Sequence, residues 1–365
     1  MREKTTAQFK IVSIDSLGQG VSKEDKILFI PKTLPGEEGT AAVLAQKKSV
    51  SFGWPLNITR PAANRIVPEC PHFAECPSCH FLHTDYASEL EYKRLAFDQI
   101  FRNLPLPRPD IISAPRRLAY RNRIQLHYDT KNRQLGLLSL SLKRIIEIPQ
   151  CKIGLPEISK VITELYANQN WLNLVPKGED RGHVEIYLRD GEVQVTWNRP
   201  YADGGFTQVF DEMNAILKDR IDDIFANIHL GHLLDLFGGG GNLSEKLNYE
   251  MRRCVDFYSV PKGPDFISLD LYSPLALSQL QKKLREEDLN IKTLILDPPR
   301  AGFKELGLWL DTLKPETVLY VSCDPHTLSR DLRTLKNYEF KQSFLLDFFP
   351  STFHFETMLL LQRQE

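Results

Sequence analysis

Cys323 closes the run Tyr320-Val-Ser-Cys323 and is followed at once by Asp324-Pro325. An apolar, β-branched run of this kind predicts a buried strand, and Asp-Pro breaks it. The thiol then stands at the carboxyl end of a strand, where open α/β sheets place their ligands. A cysteine there can act as a nucleophile, although a lone one more often packs as a small buried hydrophobe. A second group of thiols, Cys70-x5-Cys76-x2-Cys79, has the spacing of a metal or cluster site. Cys-x-x-Cys lets two thiolates reach one centre from a tight turn. Cys151, just after the strand-like Arg144–Ile148, is the candidate fourth ligand. Four thiolates can hold a [4Fe–4S] cluster or a structural zinc, and His72, His80 and His83 could complete a zinc site instead.

A third group consists of acids. His232-Leu-Leu-Asp235-Leu-Phe237-Gly238-Gly239-Gly240-Gly241 reads as a strand, a glycine loop and the start of a helix. No Lys-Ser/Thr follows, so it is not a phosphate P-loop. Glycines let a backbone approach a ligand closely, which makes Phe237, Gly239 and Gly241 candidate cofactor contacts. Asp235 suits a cationic or amino-acid ligand better than a pyrophosphate. The next strand ends in Asp256, at a distance from Asp235 where an acid can bind ribose hydroxyls. Asp270 ends a third. Singly, each acid could be a helix N-cap. Together, with no basic phosphate ligand, they point to S-adenosylmethionine rather than a dinucleotide. Thr293-Leu-Ile-Leu-Asp297-Pro-Pro-Arg300 is one more buried strand ending in an acid, and Asp347-Phe-Phe-Pro350…His354-Phe-Glu356 follows near the end of the sequence.

These residues need elements to hold them. Residues 8–60 fall in short β runs punctuated by Gly18, Gly20, Asp25-Lys26 and Pro35-Gly36, as in a small barrel such as an OB-fold. Residues 84–103 are helical by periodicity and end at Pro105, Pro107 and Pro109. Arg116-Arg117-Leu-Ala-Tyr120-Arg121-Asn-Arg123 interleaves four arginines with an aromatic. That pattern can hold phosphates and stack on a base, so Arg121 and Arg123 are candidate RNA contacts; a solvated strand edge is the plainer alternative. Residues 110–200 are β-rich around one helix near 156–170, with Asp190-Gly191 as a hairpin turn. After Gly204-Gly205, strands and helices alternate.

The fold class expected is therefore α/β. A Rossmann-like methyltransferase domain (201–365) follows an OB-like β-barrel (1–61) and a β-rich domain that carries the grouped cysteines (62–200). At 365 residues the chain can form three such parts. A net charge of −1 gives no global polyanion signal, so a nucleic-acid surface must be local. The charged start lacks an apolar leader and no apolar run reaches bilayer length. Six cysteines are too few for a disulfide scaffold. A cytoplasmic protein is expected.

Three segments carry a family resemblance. Asp297-Pro-Pro-Arg-Ala-Gly302, Ser322-Cys323-Asp-Pro with Arg330-Asp331, and Phe349-Pro…His354-Phe-Glu356 resemble, in order, motifs of the RNA uracil-C5 methyltransferases, which make 5-methyluridine. Gly205-Phe206-Thr-Gln208 is similar to the motif that opens their methyltransferase domain. Leu17–Val21 and Ile30–Glu37 resemble a TRAM domain, a small RNA-binding β-barrel. With Cys70, Cys76, Cys79 and Cys151, this is similar to the branch acting on 23S ribosomal RNA, which carries a [4Fe–4S] cluster.

The resemblance implies a division of labour. Uracil C5 is a poor nucleophile until a thiolate adds to C6, and a separate base must then remove the C5 proton. Cys323 matches the nucleophile and Glu356 the base. Gln208 and Asp297 match contacts to donor or base, Asp256 the ribose and Asp270 the adenine side; Arg300 is a further candidate RNA contact. The expected partner is ribosomal RNA with the target uridine extruded from its stack, with no DNA or membrane and the protein a monomer. By the same resemblance, the helix near 84–103 packs on the last domain.

The sequence departs from the family at Phe210, where asparagine is common, with Asn214 four residues late. It departs also at Gly238, where cysteine is frequent, and at Asp256, where glutamate is. The alternatives are the same chemistry on tRNA, a non-catalytic ribosome-assembly factor, and an N-methyltransferase read from Asp297-Pro-Pro. The last needs no cysteine.

Overall fold

The computed structural model describes residues 5–24, 26–200, 208–257 and 263–364. Asp25, the Gly204-Gly205 boundary and the Gly205–Thr207 part of the opening motif lie outside them. The chain forms two compact units: Met1–Ala96, Arg116–Asp203 and Phe349–Phe353 in the first, Phe97–Pro115, Gly204–Phe348 and His354–Glu365 in the second. Among the described residues no helix is long and apolar enough to cross a membrane.

In the first unit β1 (Thr6–Ile14), β2 (Gln19–Ser22), β3 (Ile27–Pro31), β4 (Glu38–Gln46) and β5 (Val50–Arg60) close a barrel in the order β1-β2-β3-β5-β4. The pairs are antiparallel except β3 with β5. Alternation sends Phe9, Ile11, Leu28, Ile30 and Ala41 into its core while Lys10 and Val12 face out. Glu37, fully buried, follows the turn at Gly36 (φ +86°), accepts from Leu34 N and Ala62 N, and pairs with Arg65.

Helix α1 (Tyr86–Phe101) begins where the Asp85 carboxylate caps Ser88 N at 2.8 Å. The unit division falls within it, between Ala96 and Phe97. The short strand β6 (Asp110–Ile112) belongs to the second unit.

The chain then returns to the first unit with β7 (Arg123–Asp129), β8 (Gln134–Ser139), β9 (Arg144–Ile146), α2 (Pro156–Tyr166), β10 (Arg181–Arg189) and β11 (Glu192–Trp197). They make an antiparallel sheet, β11-β10-β7-β8-β9, whose core of Leu126, Tyr128, Val184 and Ile186 is covered by Ile158, Ile162 and Leu165 of α2. Asp190 (φ +52°) and Gly191 (φ +81°) form the expected primed hairpin turn.

The second unit runs α3 (Asp211–Phe225), β12 (His232–Leu236), β13 (Met251–Asp256), β14 (Phe266–Ser268), α4 (Ala276–Glu286), β15 (Ile291–Leu296), α5 (Leu306–Leu313), β16 (Thr317–Ser322), α6 (Pro325–Leu332), β17 (Tyr338–Leu346) and β18 (Glu356–Arg363). Its eight strands lie in the order β14-β13-β12-β15-β16-β18-β17-β6. The first five are parallel and β18 inserts antiparallel between β16 and β17. Every residue of β16 is buried, the continuous apolar run of a strand covered on both faces. The chain progresses from β12 to one side and resumes at β15 on the other. The Rossmann-like switch point, where such sheets bind ligands, thus lies between them.

Candidate active site

Asp256 ends β13, Asp235 is the penultimate residue of β12, and Asp297 and Cys323 follow β15 and β16; the four strands are adjacent and parallel, so all four residues stand at one edge of the sheet. Glu356 joins them from the opposite chain direction, as the first residue of β18. The ladder pairs Ser322 with Thr357. Cys323 directly follows Ser322 and Glu356 directly precedes Thr357, so both stand at the end of this ladder.

Burial pushes the Cys323 thiol up to about 12; the Glu356 and Asp297 carboxylates push the same way and Arg300 pulls against them. Burial and Asp297 hold Glu356 well above the ordinary carboxylate range, again opposed by Arg300. Glu356 is 4% exposed, and its Oε2 has no hydrogen-bond partner among the described residues. Asp297 is raised to about 7, by burial first and then by Asp235. Asp297 acts on both Glu356 and Cys323, and Arg300 opposes the rise at each of those two.

Two devices fix this edge. The Asp324 carboxylate caps α6 at His326 N (3.0 Å) and Thr327 N (3.1 Å), which ends β16 at the thiol. Asp331, fully buried, accepts from Phe303 N (2.6 Å) and Tyr320 hydroxyl (2.9 Å). It thereby ties the Asp297–Gly302 loop to β16, while Arg330 donates to its other oxygen.

The donor side is built on the glycine loop. Asp235 is 1% exposed; Ser244 hydroxyl donates to its Oδ2, and its Oδ1 has no partner among the described residues. Burial raises it to about 6, against Ser244 and Arg252. Asp256 accepts from Gly239 N at 3.0 Å. A Cβ at Gly240 would meet nothing within 4 Å, so the loop faces open space. Asp270 is exposed and accepts from Tyr272 N at 3.0 Å. Phe237 (φ +58°) sets its ring 5.5 Å from Tyr272 and 5.2 Å from Phe303. An orphaned buried carboxylate, an acid on the loop backbone and an aromatic wall fit a cationic adenosyl ligand such as S-adenosylmethionine. Tyr272, Ser244 and Arg252 flank the motifs of the sequence without a signal of their own, because their partners become visible only in the fold.

The departures have physical counterparts. Phe210 is fully buried ahead of α3, and Asn214, one turn on, exchanges amide hydrogen bonds with Asn242 of the glycine loop (2.9 and 3.1 Å). An asparagine therefore reaches the loop, from a later position. A Cβ at Gly238 would lie 2.5 Å from Cys254 Sγ and 2.7 Å from Asp235 Cγ, so the space for a side chain at 238 is already filled, in part by a sulfur from β13.

In the first unit Cys70, Cys76, Cys79 and Cys151 line one small pocket. Burial pushes the Cys79 thiol up, and Cys76 and Cys151 add to the push. Lys32 reaches in from the barrel: its ammonium donates to the carbonyls of Phe73, Cys76 (2.8 Å) and Cys79 (3.2 Å). Four convergent thiols with a fixed cation beside them fit an anionic thiolate-bound cluster. Among the described residues no group of three or more ligands is gathered to hold a single metal ion.

The arginine cluster is corrected in part. Arg123 is 3% exposed and pairs with Glu185 at 2.9 Å under the Tyr187 ring, so it is a core residue with no surface to offer RNA. Arg117 is committed to Glu89 and Phe81 O. Arg121 is half-buried, donating to Arg123 O at 2.9 Å, and Arg300 is exposed.

Residues 276–364 match the family model described as tRNA (Uracil-5-)-methyltransferase. The chain is 28% identical to the 23S rRNA (uracil(1939)-C(5))-methyltransferase RlmD of Shewanella frigidimarina, over 96% of this chain and 94% of that one. With the same enzyme of Shewanella woodyi the identity is 26%, over 97% and 95%. The solved structure of Pyrococcus abyssi tRNA (uracil-54, C5)-methyltransferase in complex with S-adenosyl-L-homocysteine has the same fold. Its TM-score is 0.67 over 97% of this chain and 100% of that one, at 18% identity.

Proposed function

We infer that this chain, a member of the RNA uracil-C5 methyltransferase family, methylates C5 of a uridine in 23S ribosomal RNA through a covalent adduct on Cys323. The observation that supports the mechanism is the β16–β18 ladder, whose last pair, Ser322 with Thr357, has Cys323 and Glu356 as the residues just beyond it. The observation that favours ribosomal RNA over tRNA is near-full-length similarity to the 23S enzymes.

The chemistry follows from the residues. The Cys323 thiolate forms a bond to C6, and the C5=C6 electron pair moves into an enolate that makes C5 nucleophilic. S-adenosylmethionine, when bound, would supply the electrophilic methyl group that C5 attacks, its methyl–sulfur bond breaking to leave S-adenosyl-L-homocysteine. Glu356 then takes the C5 proton; the C5–H electrons restore the double bond as the C6–S bond breaks, returning the thiolate. Asp235 and Asp256 hold the cationic donor, with Phe237, Gly239, Gly241, Gln208 and Asp270 around it, and Asp297 stands between donor and base. The uridine must leave its stack to reach the thiol. Arg300 offsets the negative field at the thiol and meets the RNA, the barrel and Arg121 supply further RNA contacts, and Cys70, Cys76, Cys79 and Cys151 hold a [4Fe–4S] cluster.

The purified protein should transfer labelled methyl groups from S-adenosylmethionine to 23S ribosomal RNA transcripts and yield 5-methyluridine. Cys323→Ala should abolish it. Transfer to tRNA alone would overturn the ribosomal assignment, and methylation by the Cys323→Ala protein would overturn the adduct. Iron and sulfide analysis of anaerobically purified protein tests the cluster, and stoichiometric zinc instead would refute it.

A further inference from the structure

The segment Phe349–Phe353 is a strap that ends three residues before Glu356. It has no helix or strand of its own, and Ser351 is held at φ +69°, where a non-glycine residue is strained. Such a conformation persists only where its surroundings over-determine it, and here they do. Ser351 O accepts from His80 N (2.7 Å) and Phe81 N (3.0 Å), the two residues that follow Cys79. Ser351 N donates to Glu89 Oε1 at 2.6 Å. Pro350 O accepts from the Tyr120 hydroxyl at 3.1 Å, and Phe349 O from Lys93 Nζ at 3.2 Å. The His80 and Phe353 rings meet edge-on at 4.7 Å.

Glu89 is the hub. Its side chain is fully buried, bonded to Lys93 (2.9 Å) one turn along α1 and to Arg117 Nε (2.9 Å). One carboxylate thus pairs with two cations and accepts a charge-assisted bond from the strap backbone, the stronger class of hydrogen bond. Nothing in the chemistry of methyl transfer calls for this acid.

We propose that Glu89 is a positioning residue for Glu356, with Tyr120 as a second anchor: together they fix the strap from which the chain enters β18, and so the placement of Glu356 as the first residue of that strand. The ladders with β16 and β17 set the register of β18; the strap, held at its backbone, sets how the chain enters the first rung. The inference rests on the proposed roles of Cys323 and Glu356.

The test uses that chemistry. If Glu356 removes the C5 proton, slackening the strap impairs the last step more than the first, and the methylated RNA–protein adduct accumulates. The full chain is incubated with radiolabelled S-adenosylmethionine and a 23S ribosomal RNA transcript, and labelled, denaturation-stable protein–RNA complex is measured beside free methylated product. Glu356→Gln is the control: strong accumulation supports the underlying reading, and its absence refutes that reading whatever the other variants do. With the control positive, Glu89→Gln should lower product release about 10- to 100-fold, the scale of a small misplacement at a reacting centre, while adduct rises. Tyr120→Phe, which removes one hydroxyl from an otherwise intact core, should do the same about two- to tenfold. Should Glu89→Gln lose its cooperative thermal transition, Tyr120→Phe decides alone. Wild-type release with no extra adduct overturns the proposal, as does reduced release accompanied by reduced adduct in a folded variant.

Discussion

Cys323 and Glu356 stand just beyond the Ser322–Thr357 pair that ends the antiparallel ladder of β16 with β18. Paired residues in such a ladder lie about 5 Å apart, so groups at its end are placed to act on neighbouring atoms of one ring. Burial raises both groups; the Glu356 carboxylate adds to the rise at Cys323, and Asp297 to the rise at Glu356.

That repulsion has a measurable sign. The Glu356 carboxylate raises the Cys323 thiol, so Glu356→Gln should lower it, and Arg300→Met, which removes the opposing cation, should raise it. Alkylation by iodoacetamide, resolved at Cys323 by mass spectrometry, should therefore proceed at lower pH in the first variant and need higher pH in the second. Identical pH profiles would mean that the groups do not share a field.

Asp235 links donor binding to stability. Its carboxyl is raised from 3.8 to about 6 by burial. Because the folded value lies above the unfolded one, its favourable contribution is complete below the unfolded value and is lost as pH rises through about 6. The gap amounts to at most about 3 kcal/mol. Asp235→Asn should raise the Tm of the donor-free protein at about pH 8, with the gain fading towards about pH 4. Calorimetry should also find its affinity for S-adenosylmethionine reduced. A gain independent of pH would contradict the burial argument.

Arg123 and Arg121 separate packing from recognition. Arg123→Met leaves Glu185 charged in the core and should cost about 3–5 kcal/mol, seen in denaturant unfolding. RNA affinity per folded molecule should not change. Arg121→Ala should leave stability nearly untouched and weaken RNA binding while reducing its salt dependence. The reverse pattern would return Arg123 to the RNA surface.

Gly238 sits against Cys254 Sγ and the Asp235 carboxyl. Gly238→Ala should push both aside, costing about 1–3 kcal/mol and weakening donor affinity. Adding Cys254→Ala should recover part of the stability, because one of the two obstructing side chains is cut back. No recovery in the double variant would show that Asp235 alone sets the constraint.

The sheet of the second unit was legible because its central strands are apolar runs that stop at an acid or a cysteine. Asp235, Asp256, Asp297 and Cys323 could be placed at strand ends from that alone. What escaped depends on pairings far apart in sequence. Arginines 117 and 123 look like a basic surface until Glu89 and Glu185 meet them. Asn214 looks displaced until Asn242 bonds to it from the glycine loop. Strand β6, three residues between prolines, has no periodicity to reveal it and exists because β17 offers it an edge.

That last pairing matters to anyone who would move the catalytic half of this protein elsewhere. Asp110, Ile111 and Ile112 hydrogen-bond along Phe344–Leu346 and close the margin of the sheet, while Phe97 packs near Phe355 and Ile100 O accepts from Ser329. A cassette cut at the glycine pair near 204 would lack all of these. It would carry a bare strand edge, the surface on which chains aggregate. The smallest transplantable piece is two pieces of chain, and chimeras that swap the barrel must keep Phe97–Pro115 with the enzyme they came from.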